Sequence, residues 1–232
     1  MGFKSGLKKI WSKISLMSAE VVVVMCAFFA ALSVFVFVAR MIFLEKKEDF
    51  DMQVLEFVKL HASDSTTGIM KIFSFLGSHN FLIPANIIFS AYYLFIRKKT
   101  WNSIKIPVIS LSSVLLMFVL KQVFHRQRPL VPLLQQAKGM SFPSGHALMS
   151  FAFYGLIIYL VRQAVKDRSR RVVYTILLLL LILFIGLSRI YLRVHYASDV
   201  IAGFSLGLVW LVLSLSIINK MEKISKKQLP VQ

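Results

Sequence analysis

Cysteine occurs once in this sequence, at Cys26 inside a long apolar run, so an intrachain disulfide and a multi-cysteine metal site are both excluded. Acid is scarce: 10 Asp and Glu stand against 28 Lys and Arg, for a formal charge of +18. Such a balance could suit nucleic acid, but the basic residues sit between apolar blocks and no nucleic-acid-binding motif is present. Only 16% of residues are charged, too few to cover a soluble domain of this size. No internal repeat and no low-complexity linker divides the chain, which points to one domain. The first apolar run is too long for a cleaved signal and lacks a clear small-residue cleavage site, so it reads as a retained helix.

What the chain has in quantity is apolar residues, 57% of the total, gathered in blocks. Glu20–Leu44, Phe81–Ile96, Ile104–Leu120, Ala147–Val161, Val172–Leu187 and Val200–Ile218 predict six membrane-crossing helices, the shorter ones extended by polar turns to the ~20 residues a span needs. The expected fold class is therefore all-α, a polytopic helical bundle. Basic residues cluster in alternate loops: the N-terminal arm, Arg97–Lys99, Arg162–Arg171 and Lys220–Lys227. The positive-inside rule then places both termini in the cytoplasm. Three regions are expected: a basic N-terminal segment (1–19), a transmembrane domain (20–219) whose motif-bearing part is 121–199, and a basic cytoplasmic tail (220–232). In the first, Phe3, Leu7, Ile10, Ile14 and Met17 recur at helical spacing among lysines, which fits a helix lying on an anionic membrane surface; a charged tail without structure is the open alternative.

The remaining loops face outward on this topology. Glu45–Thr67 carries Glu45, Glu48, Asp49, Asp51, Glu56 and Asp64, with a helical pattern in Phe50, Val54, Phe57, Val58 and His61 that predicts a short amphipathic helix. The stretch from Thr67 to Leu76 leads toward the second span, with Gly77 to Asn80 as a break. The segment Lys121–His146 holds Lys121, Arg126, Arg128 and Lys138 and no acid, against the topology rule, and the next outward segment adds Arg189 and Arg193. Cations at a bilayer face are costly unless they have partners or a task.

Three stretches on that face carry chemistry: KQVFHRQRP (121–129), PSGH (143–146) and SRIYLRVHYASD (188–199). Cations, hydrogen-bond donors and two imidazoles together suit a phosphate ester or anhydride, whose transfer is catalysed mainly by positioning and charge stabilisation. Lys121 supplies a point charge, and Arg128 and Arg189 supply planar forks for pairs of phosphate oxygens. Ser144 offers a hydroxyl, Gly145 an unobstructed backbone N–H, and the helix start at these residues a positive dipole end. His195 and Asp199 are four apart, on one helical face, so the carboxylate can fix the imidazole tautomer and leave the other nitrogen free to attack. His146 then serves as acid and base. Taken singly each piece is weak: PSGH alone could be a capped turn, and His195/Asp199 an ordinary ion pair. Arg126 and Arg193 either contact a second phosphate or headgroup, or snorkel to the surface, the second account carrying more weight. His61 and His79 read as structural or interfacial, His125 as ambiguous. Gly203 and Gly207 form a small-xxx-small pair for close helix packing, expected to hold His195 and Asp199 against the loop bearing Arg128.

These residues resemble the three-part signature of the type 2 phosphatidic acid phosphatase superfamily: Lys, six residues, Arg-Pro (Lys121, Arg128, Pro129); Pro-Ser-Gly-His (143–146); and Ser-Arg, five residues, His, three residues, Asp (Ser188, Arg189, His195, Asp199). Every signature position matches, over about a third of the chain. The resemblance implies a helical bundle and a phosphohistidine intermediate at His195, with Asp199 as its orienter and His146 as acid/base. It further implies phosphate held by Lys121, Arg128, Ser144, Gly145 and Arg189, with no cofactor and no metal. The membrane branch is most similar here, in particular bacterial lipid phosphatases of the phosphatidylglycerophosphatase B and undecaprenyl-diphosphatase type. The expected partner is a lipid phosphate within the bilayer, met at the outer face of a bacterial inner membrane. A monophosphatase, a diphosphatase and a non-hydrolytic lipid or anion transporter remain distinct readings at this stage.

Overall fold

The structure, a computed structural model, describes residues 19–130, 132–133 and 139–228. The expected surface helix of residues 1–19 falls almost wholly outside them. Among the described residues there are eight α-helices and no strand: α1 (Ala19–Phe43), α2 (Asp49–His61), α3 (Asp64–Leu76), α4 (His79–Ala91, continued by a π-helical turn, Tyr92–Ile96), α5 (Thr100–Phe124), α6 (Gly145–Ala164), α7 (Arg168–Tyr191) and α8 (Ala197–Gln228). Six of them, α1 and α4 to α8, are long and apolar enough to cross a membrane. α4 to α8 each run past their apolar blocks into polar residues, because a helix satisfies its own backbone where lipid offers no partner and stops only where water can take over.

α6 and α8 form the centre of the bundle. α1 packs on α8, α5 and α7 flank α6, α4 packs on α5, and α3 on α7. About half of each central span is buried, against 6% for α1. This gradient follows the side chains: α1 shows Val23, Phe29, Val36 and Phe37 outward, as a lipid-facing helix does. Small residues set the closest approach. A Cβ at Gly203 would lie 2.7 Å from the Ser144 carbonyl oxygen, and one at Gly207 2.9 Å from that of Leu148. The two glycines thus press α8 against the start of α6, and His195 and Asp199 lie against the segment bearing Arg126 and Arg128.

The expected amphipathic helix of the first outer loop is α2. The following stretch is a separate helix, α3, whose N-terminus is capped by Ser63 accepting from the Thr66 N–H. The break falls at Gly77 and Ser78, and α4 begins at His79. The basic stretch after residue 219 is no detached tail through Gln228: α8 continues unbroken, and Glu222 accepts a hydrogen bond from the buried Lys105 at 2.9 Å and another from Lys226 at 2.7 Å.

Because α5 and α7 run one way and α6 and α8 the other, Lys121, Arg189, the α6 start and the α8 start all reach one end of the bundle. Phe35, Phe43, Phe124 and Phe142 close that end from the α1 side with ring centroids 4.8–6.2 Å apart. Ala19 and Gln228 lie at the other end, near Arg162 and Lys105.

Candidate active site

His195 sits in the short connection between α7 and α8 and is 2% exposed. Its two nitrogens face different groups. Nδ1 lies 3.4 Å from Asp199 Oδ2 and 3.4 Å from Ser141 Oγ. Nε2 lies 3.2 Å from Arg128 Nη1. A guanidinium only donates, so Nε2 is the acceptor and the ring proton belongs on Nδ1, toward the carboxylate. Burial pushes the His195 pKa down to about 4; Asp199 opposes this, while Arg128 and Arg189 add to it.

Asp199 is fully buried in the first turn of α8. Oδ2 accepts from Ser141 Oγ at 2.5 Å and from the Tyr196 N–H at 3.0 Å, and Oδ1 accepts from Arg126 Nη1 at 2.8 Å. The carboxylate is therefore immobilised on both oxygens.

The cations arrive from separate elements. Arg128 donates through Nε to the Gly139 carbonyl at 2.9 Å and through Nη1 to the Val194 carbonyl at 2.7 Å. Lys121, in the last turn of α5, donates to the Met140 carbonyl at 2.8 Å. Arg189, 5% exposed near the end of α7, donates to Ser74 Oγ on α3, and its Nε has no partner among the described residues. Ser144 occupies the N-cap position of α6, yet its hydroxyl makes no capping bond; Oγ is buried with no partner among the described residues. PSGH is thus not an ordinary capped turn. Ser144 instead donates its backbone N–H to the Asp199 carbonyl at 3.0 Å, which ties the two helix starts together. Gly145 backs onto Met117, 3.4 Å from where a Cβ would stand. His146, one residue on, lies within electrostatic range of Arg189, His195, His79 and Lys121. His61 bonds the Phe57 carbonyl on the surface.

Arg126 corrects the sequence reading. It does not snorkel: it is 6% exposed, and its Nη2 donates to Asp51 Oδ2 at 2.7 Å and to Glu48 Oε1 at 3.4 Å. Its guanidinium also lies 4.1 Å from the centre of the Tyr196 ring. Burial works against its charge, but Asp199 and Asp51 together outweigh that and hold its pKa above the usual value. Ser141, Asp51, Ser198 and Ser74 were not picked out from sequence. The available signal was charge balance: the acid-rich first outer loop and the acid-free Lys121–His146 segment are each other's complement. Arg193 has a left-handed backbone (φ 52°) and lines an open groove of about 220 Å³ with Met52, Lys59, Leu130 and Tyr196. A larger cavity of about 410 Å³, between Glu20, Arg162, Arg168 and Arg171, lies at the far end of the bundle and takes no part in this arrangement. Among the described residues no three His, Cys, Asp or Glu side chains gather as a metal site.

The sequence profile of the PAP2 superfamily matches residues 103–223. Phosphatidylglycerophosphatase B of Bacillus subtilis (strain 168) is 33% identical over 161 residues, covering 68% of this chain and 78% of that protein. The crystal structure of a transmembrane PAP2 type phosphatidylglycerolphosphate phosphatase from Bacillus subtilis superposes with a TM-score of 0.77 at 28% identity, over 84% of this chain and 96% of that one. The structure of Aquifex aeolicus LpxE shares the fold, with a TM-score of 0.57 at 24% identity, over 73% of this chain and 98% of that one. The profile takes in more than half of the chain, including α6, α7 and the Asp199 turn, and the likeness to the Bacillus protein extends beyond it: this integral membrane protein belongs to the PAP2 superfamily.

Proposed function

We propose that the protein hydrolyses the phosphomonoester of a membrane lipid such as phosphatidylglycerophosphate or phosphatidate. One observation carries this reading: His195 turns Nδ1 to Asp199 and Nε2 to Arg128, so an attacking nitrogen and a phosphate-binding cation share one spot. The His195 Nε2 lone pair attacks phosphorus, the bond to the lipid oxygen breaks, and that oxygen takes a proton from His146. Water then attacks the phosphohistidine, giving its proton to His146, and the N–P bond breaks to release phosphate. Lys121, Arg128, Arg189, the Ser144 hydroxyl and the Gly145 N–H hold the equatorial oxygens, where charge is greatest in the transition state.

The groove beside Pro129 and Tyr196 suits the headgroup: Arg193 and Lys59 line it, the latter paired with Glu56, along with apolar Met52, Leu55 and Leu130. The catalytic end faces outward and both ends of the chain face the cytoplasm, in keeping with the lysine-rich α8 terminus. Purified protein is to be assayed against phosphatidylglycerophosphate, phosphatidate, lysophosphatidate and undecaprenyl diphosphate side by side. Phosphate release from a monoester in excess chelator is expected, lost in His195→Ala and in His146→Ala. Full turnover by either variant overturns the assignment, a clear preference for the diphosphate substitutes a diphosphatase, and binding without release substitutes a carrier. Orientation is read separately: with Cys26 replaced, Leu130→Cys should label from outside intact cells and Lys226→Cys only after permeabilisation.

A further inference from the structure

Asp51 lies on α2, far in sequence from every signature position, yet it is fully buried and is joined to the proposed catalytic carboxylate through one shared partner, Arg126. Its Oδ1 accepts from the Ser198 N–H at 2.9 Å, and its Oδ2 accepts from Arg126 Nη2 at 2.7 Å and from the Ser198 hydroxyl. Arg126 in turn donates through Nη1 to Asp199 Oδ1 and to Ser198 Oγ, each at 2.8 Å. The chain Asp51–Arg126–Asp199 is therefore continuous, with Ser198 bridging it.

We propose that Asp51 is a positioning residue for the phosphoryl-transfer step, shared by Arg126 so that Asp199 keeps its negative charge for His195. This rests on the reading of His195 as nucleophile. When Nε2 bonds to phosphorus, the ring retains its Nδ1 proton and becomes a cation. Asp199 must stabilise that cation. A guanidinium bound to Asp199 alone would cancel the carboxylate and leave the cation unsupported in a water-poor site, where charges act over short range with little screening. Asp51 supplies a second carboxylate to the same guanidinium. Two carboxylates against one cation leave formal charge −1, directed at His195. Glu48, half-exposed and 3.4 Å from Arg126, adds to the same sign from the surface. Arg128 stands at Nε2, on the other side of the imidazole from Asp199, and is assigned with Arg189 to the phosphate.

Two variants separate this from a structural role. Asp51→Asn keeps the shape and removes the charge. Its kcat is expected to fall roughly 10- to 100-fold, with KM for lipid phosphate nearly unchanged. Inhibition by vanadate, which mimics the five-coordinate phosphorus, weakens by the same factor, while inhibition by inorganic phosphate does not. In the double variant Asp51→Asn/Arg126→Gln the guanidinium charge is removed too, Asp199 is released, and kcat recovers part of the loss. A purely structural Asp51 gives the reverse: losing both partners is worse than losing one, and the vanadate and phosphate constants move together. Should Asp51→Asn fail to accumulate, the double variant against Arg126→Gln alone decides: equal activity supports the charge account, and a further loss on removing Asp51 overturns it. His195→Ala runs in parallel. If it stays active, the nucleophile assignment fails; if it is dead while Asp51→Asn matches the parent, only the present inference fails.

Discussion

A histidine proposed to attack phosphorus has to be neutral, and at His195 burial favours the neutral ring. With its pKa lowered from 6.5 to about 4, His195 presents an unprotonated Nε2 through the whole neutral range. The acid limb of kcat/KM due to this ring is therefore expected near pH 4, not near 6.5, in a pH profile taken in detergent. The same shift acts on stability. An unfolded chain takes up the proton first as pH falls, so the contribution of the neutral ring is complete above 6.5 and is lost progressively toward 4. Thermal midpoints between pH 7 and 5 should fall less steeply in His195→Gln than in the parent. The signature residues at this scale were legible because their identities are tied to fixed spacings. Ser141 and Asp51 were not, since what makes them matter is the partner each meets after folding, 58 residues away in one case and 75 in the other.

Helices were legible from blocks of apolar residues, and α2 from its 3.6-residue pattern. Their ends were not. α5 and α8 extend into polar sequence because residues there find one another across the bundle, a fact invisible to hydropathy. Glycine spacing announced a close contact but not its partner, and the partner matters: α8 meets the PSGH segment. Gly207→Ala would bring a Cβ to 2.6 Å from Phe151 Cβ and force the two helices apart. A loss of about 1–3 kcal/mol is expected, typical of overpacking, with reduced activity because the Ser144–Asp199 link loosens. Gly68→Ala, on α3 with nothing within 4 Å, is the control: it should be neutral or gain a few tenths of a kcal/mol up to about 1 kcal/mol from helix propensity. Thermal unfolding followed by fluorescence in detergent reads both.

For the whole molecule, the apolar blocks gave six crossings, and several of the charges buried within the bundle have partners across it. Lys105 is the clearest case: 2% exposed within α5, paired with Glu222 at 2.9 Å and 5.5 Å from the centre of the Tyr159 ring. Removing only Glu222 strands a buried ammonium. Glu222→Gln is expected to cost about 1–3 kcal/mol, whereas Lys105→Met/Glu222→Gln recovers most of it, as buried pairs exchanged for apolar contacts commonly do. The same detergent melt measures the difference.

The cations of the catalytic end are already donors to main-chain oxygens: Arg128 to Gly139 and Val194, Lys121 to Met140. On the proposed mechanism, a departing product hands these groups back to carbonyls that stand ready, so Arg128 and Lys121 are not left bare to pull it in again. Release is thereby made easy at the proposed anion site, and the grip tightens only while the phosphorus is in flight between two oxygens and a nitrogen.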